Sequence, residues 1–180
     1  MTANEWRESA RSAEQVLYLD YDGVLHPDAV YLVRGYGVHL SLREAPGRQL
    51  FDAAPHLIDA LGPYPEARIV LSTDWVRRLG FDKAKAALPS ALSSRVIGAT
   101  YHTRQRLRDP LASTESTRGQ EVAEDAERRR PRSWVAIDDR DEGWHDAHRH
   151  RLVLCNPKRG LEDPAARDCL KATLAREFLM

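Results

Sequence analysis

Val16-Leu17-Tyr18-Leu19-Asp20-Tyr21-Asp22-Gly23-Val24-Leu25 is the stretch whose reading decides the fold. It opens with a short apolar run, partly β-branched and aromatic, and continues into two acids and a glycine. That order reads as a buried strand leading into a turn. Asp20 and Asp22 stand two apart, so on a continuing strand they would point the same way. Gly23 lets the chain turn just after them. Carboxylates at the carboxyl end of a parallel strand lie where open α/β sheets bind ligands.

Three more apolar runs share this design. Ile69-Val70-Leu71 ends at Ser72-Thr73, Trp134-Val135-Ala136-Ile137 at Asp138-Asp139, and Leu152-Val153-Leu154 at Cys155-Asn156-Pro157. Short buried runs that each lead into polar residues predict a mostly parallel sheet. Helical patterns fill the gaps. Residues 50–61 carry apolar side chains at helical spacing, and 74–88, with Asp74 as cap, and 117–130 read as further helices. Asp163-Pro164 reads as an N-cap with Pro at the first helical position, opening a helix to about residue 178. Strands alternating with helices predict an α/β layer fold. Residues 29–47, with Gly35, Gly37 and Gly47, break the alternation and read as a β-hairpin flap. Residues 100–116 read as a surface loop, basic at Arg104, Arg106 and Arg108. No repeat or linker interrupts the chain, so one domain over 1–180 is expected.

Composition narrows the function. The 180 residues hold 27 Lys+Arg and 27 Asp+Glu, a formal net charge of zero. That excludes a uniformly basic nucleic-acid binder and leaves open a local basic rim. Hydrophobic residues make up 42 % and charged ones 30 %, a globular balance. No apolar run nears the roughly 20 residues that span a bilayer. The first 15 residues are polar and lack the apolar core of a secretory signal. A cytoplasmic protein without membrane contact is expected. The two cysteines, Cys155 and Cys169, imply no disulfide scaffold. Gly-x-Ser-x-Gly, Gly-Lys-Ser/Thr and Gly-x-Gly-x-x-Gly are all absent, so serine-hydrolase, phosphate-loop and dinucleotide readings lack their residues.

The chemistry follows from two acidic pairs. Each alone could be a turn or a helix cap. If both follow strands of one parallel sheet, Asp20, Asp22, Asp138 and Asp139 converge at one edge. Like charges that close repel and raise one another's pKa. A cation relieves this, and oxygen-only ligands suit Mg²⁺. Ser72, ending another strand, can offer its hydroxyl to a phosphate oxygen. Arg118, opening a predicted helix, can offset negative charge.

The order Asp20-x-Asp22-Gly-Val-Leu, Ile-Val-Leu-Ser72, Arg118, then Val-Ala-Ile-Asp138-Asp139 resembles the four motifs of the haloacid dehalogenase (HAD) superfamily. The resemblance implies a Rossmann-like core with a mostly parallel sheet flanked by helices, and Mg²⁺-dependent phosphatase chemistry. Asp20 would be the nucleophile that becomes phospho-aspartate. Asp22 would protonate the leaving group and then activate water. Mg²⁺ would be held by the Asp20 carboxylate, the Asp22 backbone carbonyl and Asp138, with Asp139 in support. Ser72, Thr73, Arg77 and Arg118 would bind the substrate, Arg118 also steadying the nucleophile. Many members carry Lys at the third motif. Lys83 and Lys85 follow the second motif too closely, and Lys171 follows the fourth.

A finer likeness lies around the motifs. The flap at 29–47, Leu50-Phe51, Pro55-His56-Leu57, Tyr64-Pro65 and Ser72-Thr73-Asp74-Trp75-Val76-Arg77 resemble small bacterial HAD domains related to those of RNA-repair proteins. The space between the first two motifs holds a flap and one helix and no large cap. An open site of that kind admits a phosphate on a macromolecule, such as an RNA or DNA end. The alternatives are a small-metabolite phosphatase and a non-catalytic module that stores phosphate on Asp, as receiver domains do. An acid at Asp22 favours a hydrolase. The run Arg128-Arg129-Arg130 with Arg132 reads as cations at a helix C-terminus, Trp75 as packing, and His145, His148 and His150 as a polar surface segment.

Overall fold

β1 (Gln15–Leu19) is the middle strand of a five-stranded sheet in which every pairing is parallel. The computed structural model describes residues 14–33, 37–101 and 116–179. Elements follow in the order β1, β2 (Val30–Val33), β3 (Gly37–Leu40), α1 (Ala54–Leu61), β4 (Arg68–Leu71), α2 (Asp74–Leu79), α3 (Phe81–Ala87), α4 (Ser90–Ser93) and β5 (Val96–Ala99). Then come α5 (Arg118–Arg129), β6 (Ser133–Asp138), α6 (Asp146–Arg149), β7 (Leu152–Leu154), a 3₁₀ turn (Gly160–Glu162) and α7 (Pro164–Phe178). The sheet order is β5-β4-β1-β6-β7, while β2 and β3 form a separate antiparallel hairpin. The expected α/β core and hairpin flap are both present. No helix among the described residues is long and apolar enough to cross a membrane.

Alternation along β1 sorts its side chains into two cores. Leu17 and Leu19 pack with Leu57 and Leu61 of α1 and Leu170 and Leu174 of α7. Val16 and Tyr18 point the other way, among Val122 and Ala126 of α5, Trp134 and Trp144. All four are fully buried, each fully buried Leu contributing about 1.5–3 kcal/mol of hydrophobic stabilisation. Tyr18 needs a polar partner there, and its hydroxyl donates to buried Asp125 at 2.9 Å. Asp125 also takes Arg129 Nε at 3.0 Å and pairs with Arg128. Part of the basic run at the end of α5 therefore serves an internal carboxylate.

Register delivers the site. Leu19 pairs with Leu71 on one side and Ile137 on the other. Asp20 N–H donates to Ile137 O at 3.1 Å, Ser72 N–H to Leu19 O at 2.8 Å and Thr100 N–H to Leu71 O at 2.9 Å. The polar residues that end the strands are thus fixed in one row along the carboxyl edge.

Some elements depart from expectation. The helix over 74–88 is two helices, broken at Gly80, whose φ of 88° is open to glycine and strained for other residues. The helix expected from residue 50 begins at Ala54, because Phe51 takes a left-handed φ of 60° and Pro55 sits in the first turn. β5 had no place in the pattern; it is four residues long and contains Gly98. The histidine segment holds the single-turn helix α6, where His148 packs edge-on against Trp134. Arg104, Arg106 and Arg108 lie outside the described residues.

Candidate active site

Asp20 follows β1 and Asp138 ends β6, so the neighbouring strands set their carboxylates side by side. One oxygen from each of Asp20, Asp138 and Asp139 lies within 4.8 Å of the others. Asp20 and Asp138 are buried, and the Asp139 side chain is 4 % exposed. Burial pushes Asp20 well above the usual carboxylate range, and the charge of Asp138 adds to this, against the Arg118 guanidinium. Burial raises Asp138 to about 7, with Arg118 opposing it. Asp139 rises to about 6, through burial and then the charge of Asp28. Three crowded acids that resist ionisation together form a donor set suited to a hard divalent cation. Asp138 Oδ1 also accepts from Arg140 N–H at 3.0 Å, which fixes its rotamer.

Gly23 makes this packing feasible. Its φ is 73°, and a Cβ there would stand 2.4 Å from Asp139 Oδ2. The turn after Asp22 and the second acidic pair are therefore in contact through a missing side chain.

Asp22 is near these acids in sequence and occupied elsewhere. Its Oδ1 takes the Trp75 indole N–H at 3.0 Å and His26 Nε2 at 2.9 Å; the indole also reaches Oδ2 at 3.2 Å. Trp75 does pack, edge-on to Tyr21 and Phe51, but its N–H serves Asp22 as well.

On the other flank, Ser72 is 2 % exposed and its Oγ has no hydrogen-bond partner among the described residues. A buried hydroxyl beside Asp20 without a protein partner is able to bond a ligand oxygen. Thr73 is different: its Oγ1 caps α2 by accepting Trp75 N–H at 3.4 Å. Arg118 reaches Asp138 Oδ2 with Nε at 3.5 Å and also pairs with Asp74 at 3.4 Å and Glu121 at 3.7 Å. Arg77 pairs with Glu121 and Asp74 and lies over the Tyr101 ring at 4.9 Å. The rival lysines stand apart: Lys85 bonds Val96 O at 3.1 Å, and Lys83 and Lys171 are exposed.

Three residues at the site escaped the sequence reading. The sequence pattern marks Asp74 as a cap, whereas Thr73 caps and Asp74 pairs with Arg118. Glu121 stands three after Arg118, a spacing that sets the two on one helix face and was a usable signal. His26 stands four after Asp22, but in a turn that spacing carries no expectation.

Sheet order, flap and acidic row together define a small HAD-superfamily core. The chain belongs to the family described as the HAD domain in Swiss Army Knife RNA repair proteins, whose model matches residues 16–166. No curated protein and no solved structure gives a significant match.

Proposed function

We propose that the protein is a phosphoric monoester hydrolase, dependent on Mg²⁺, that works through a phosphorylated Asp20. The observation that carries this reading is the row at the sheet edge: Asp20 between the acids at the end of β6 and the hydroxyl of Ser72, which has no partner among the described residues. Asp20, Asp138 and Asp139, with the Asp22 backbone carbonyl, would hold the cation, which supplies the positive charge that lets an anionic carboxylate approach an anionic phosphate. Ser72 and Arg118 bind the phosphate oxygens, with Thr73 and Arg77 at the border of that site. Asp20 attacks phosphorus while Asp22 gives its proton to the leaving oxygen. Water, deprotonated by Asp22, then releases phosphate from Asp20. Splitting one displacement into two lowers each barrier, and the remaining demand is positioning and charge neutralisation.

The family's description in RNA-repair proteins supports a nucleic-acid end as substrate, and the small hairpin in place of a cap agrees with a macromolecular phosphate. A cytoplasmic single domain fits this role. The test compares phosphate release from 3′-phosphorylated and 5′-phosphorylated oligonucleotides and from sugar phosphates, with Mg²⁺ and with chelator. Release from an oligonucleotide, lost with chelator and in Asp20→Asn, is expected. Normal turnover by folded Asp20→Asn protein refutes the mechanism. A stable phospho-Asp20 without turnover would mark a storage module instead.

A further inference from the structure

His26 has an environment that fixes its proton. The side chain is fully buried, and its two ring nitrogens have different partners. Nδ1 accepts the Phe51 backbone N–H at 3.2 Å, and Nε2 lies 2.9 Å from Asp22 Oδ1. A nitrogen that accepts must carry a lone pair, so the ring's proton is on Nε2. With Nδ1 taken up by the Phe51 N–H, His26 acts as an Nε2–H donor to Asp22.

Phe51 is built to enforce this. It holds a left-handed φ of 60°, a conformation that a residue with a β-carbon rarely adopts. Such strain persists where surrounding contacts over-determine it. Here the Phe51 ring packs edge-on against His26 at 4.9 Å and against Trp75 and Tyr21 at 5.3 Å, while its N–H points at Nδ1.

The consequence falls on Asp22. Among the described residues, Oδ1 accepts two donors, His26 at 2.9 Å and Trp75 at 3.0 Å, whereas Oδ2 has only the longer indole contact at 3.2 Å. When Asp22 is protonated, the oxygen with two donors is the carbonyl oxygen, and the proton is on Oδ2. We propose that His26 is a positioning residue which, together with Trp75, makes Oδ2 of Asp22 the oxygen that moves the catalytic proton. In the first step the Asp20–phosphorus bond forms, the bond from phosphorus to the leaving oxygen breaks, and that oxygen takes the Oδ2 proton with its electron pair. In the second, water attacks phosphorus, Oδ2 takes a water proton, and the Asp20 oxygen leaves with its bonding pair. Asp22 ends each turnover protonated at the same atom. The inference rests on the phosphatase reading above.

Two substitutions separate positioning from mere packing. His26→Asn can still accept from Phe51 N–H but lacks the donor to Asp22; His26→Gln places an amide N–H near the position of Nε2. Turnover is measured on a p-nitrophenyl phosphate, whose leaving group needs little protonation, and on an alkyl phosphate, whose leaving group needs it. His26→Asn should lose roughly tenfold to a hundredfold in kcat on the alkyl ester, with far less loss on the nitrophenyl ester and KM nearly unchanged. His26→Gln should recover most of the alkyl activity. Equal losses of the two substrates in His26→Asn, or no recovery in His26→Gln, overturns the proposal. If His26→Asn fails to fold, Trp75→Phe, which removes the other Oδ1 donor, must show the same selective loss, and equal losses there overturn it too. Asp22→Asn run alongside keeps the two readings apart: undiminished alkyl-ester turnover in that variant sinks the phosphatase mechanism itself.

Discussion

Gly23 and Ser72 make opposite contributions to the site. Gly23 permits a contact: the Asp139 carboxylate occupies the space where its Cβ would be, and its φ of 73° favours glycine independently. Gly23→Ala therefore has to displace Asp139 from the acidic cluster. We expect Mg²⁺ affinity by titration calorimetry to fall about tenfold or more, in line with the loss seen when a metal site's geometry is disturbed. Unchanged affinity would show that Asp139 is not needed to hold the ion. Ser72 instead holds a polar atom with no partner among the described residues. Leaving such a hydroxyl unsatisfied costs about 1–3 kcal/mol, so Ser72→Ala should leave the melting temperature unchanged or raise it. The same variant should lose roughly tenfold in kcat/KM, because the phosphate loses a donor. A marked fall in melting temperature would mean that the hydroxyl serves the fold and not a ligand.

At the scale of elements, α5 is the piece whose placement matters most, since it carries both Arg118 and Glu121. Its first turn lies against the turn that follows β6: Gly119 N–H donates to Glu142 O at 3.3 Å, and a Cβ on Gly119 would stand 2.5 Å from Gly143 C and Trp144 N. Those are backbone atoms and cannot swing aside. Gly119→Ala should destabilise the protein by about 1–3 kcal/mol in urea unfolding, as overpacking does. It should also lower turnover more than stability alone explains, because Arg118 moves with the helix. Activity that tracks only the folded fraction would separate α5 placement from catalysis. Elements of this kind show how far the sequence could be read. β1, β4, β6 and β7 were legible because each is an apolar run ending in polar residues, and α7 because Asp163-Pro164 marks its start. The acidic row was legible because strand ends in a parallel sheet lie together. β5 was not, since Val-Ile-Gly-Ala is too short and too interrupted to declare a strand. The break at Gly80 and the late start of α1 depend on single left-handed residues, one of them Phe51, which periodicity cannot register. His26 was hidden for a related reason: its link to Asp22 and Phe51 is made by the turn and by residues 25 positions apart.

For the whole molecule, the acidic row costs stability that a bound cation would return. Asp138 at about 7, Asp139 at about 6 and Asp20, higher than an ordinary carboxylate, all resist ionisation in the folded state, chiefly through burial. An unfolded chain ionises the same groups near pH 4. Between about pH 4 and pH 7 the folded protein therefore binds more protons than the unfolded one, and stability falls as pH rises through that window. Groups with depressed values act in the other direction: Asp52, lowered by its hydrogen bond to Arg48 against the cost of burial, supports the fold above the ordinary carboxylate range and fails only in stronger acid. The metal-free protein should thus melt at a higher temperature near pH 5 than near pH 8. A cation needs ionised carboxylates and competes with protons for them. Saturating Mg²⁺ should accordingly raise the melting temperature strongly at pH 8 and little at pH 5, and Asp138→Asn should flatten both dependences. The measurement is a thermal unfolding series across pH with and without chelator. A metal-free melting temperature that stays level from pH 5 to pH 8, or an Mg²⁺ gain equal at the two ends, would mean that the three acids neither strain the fold nor bind the ion together.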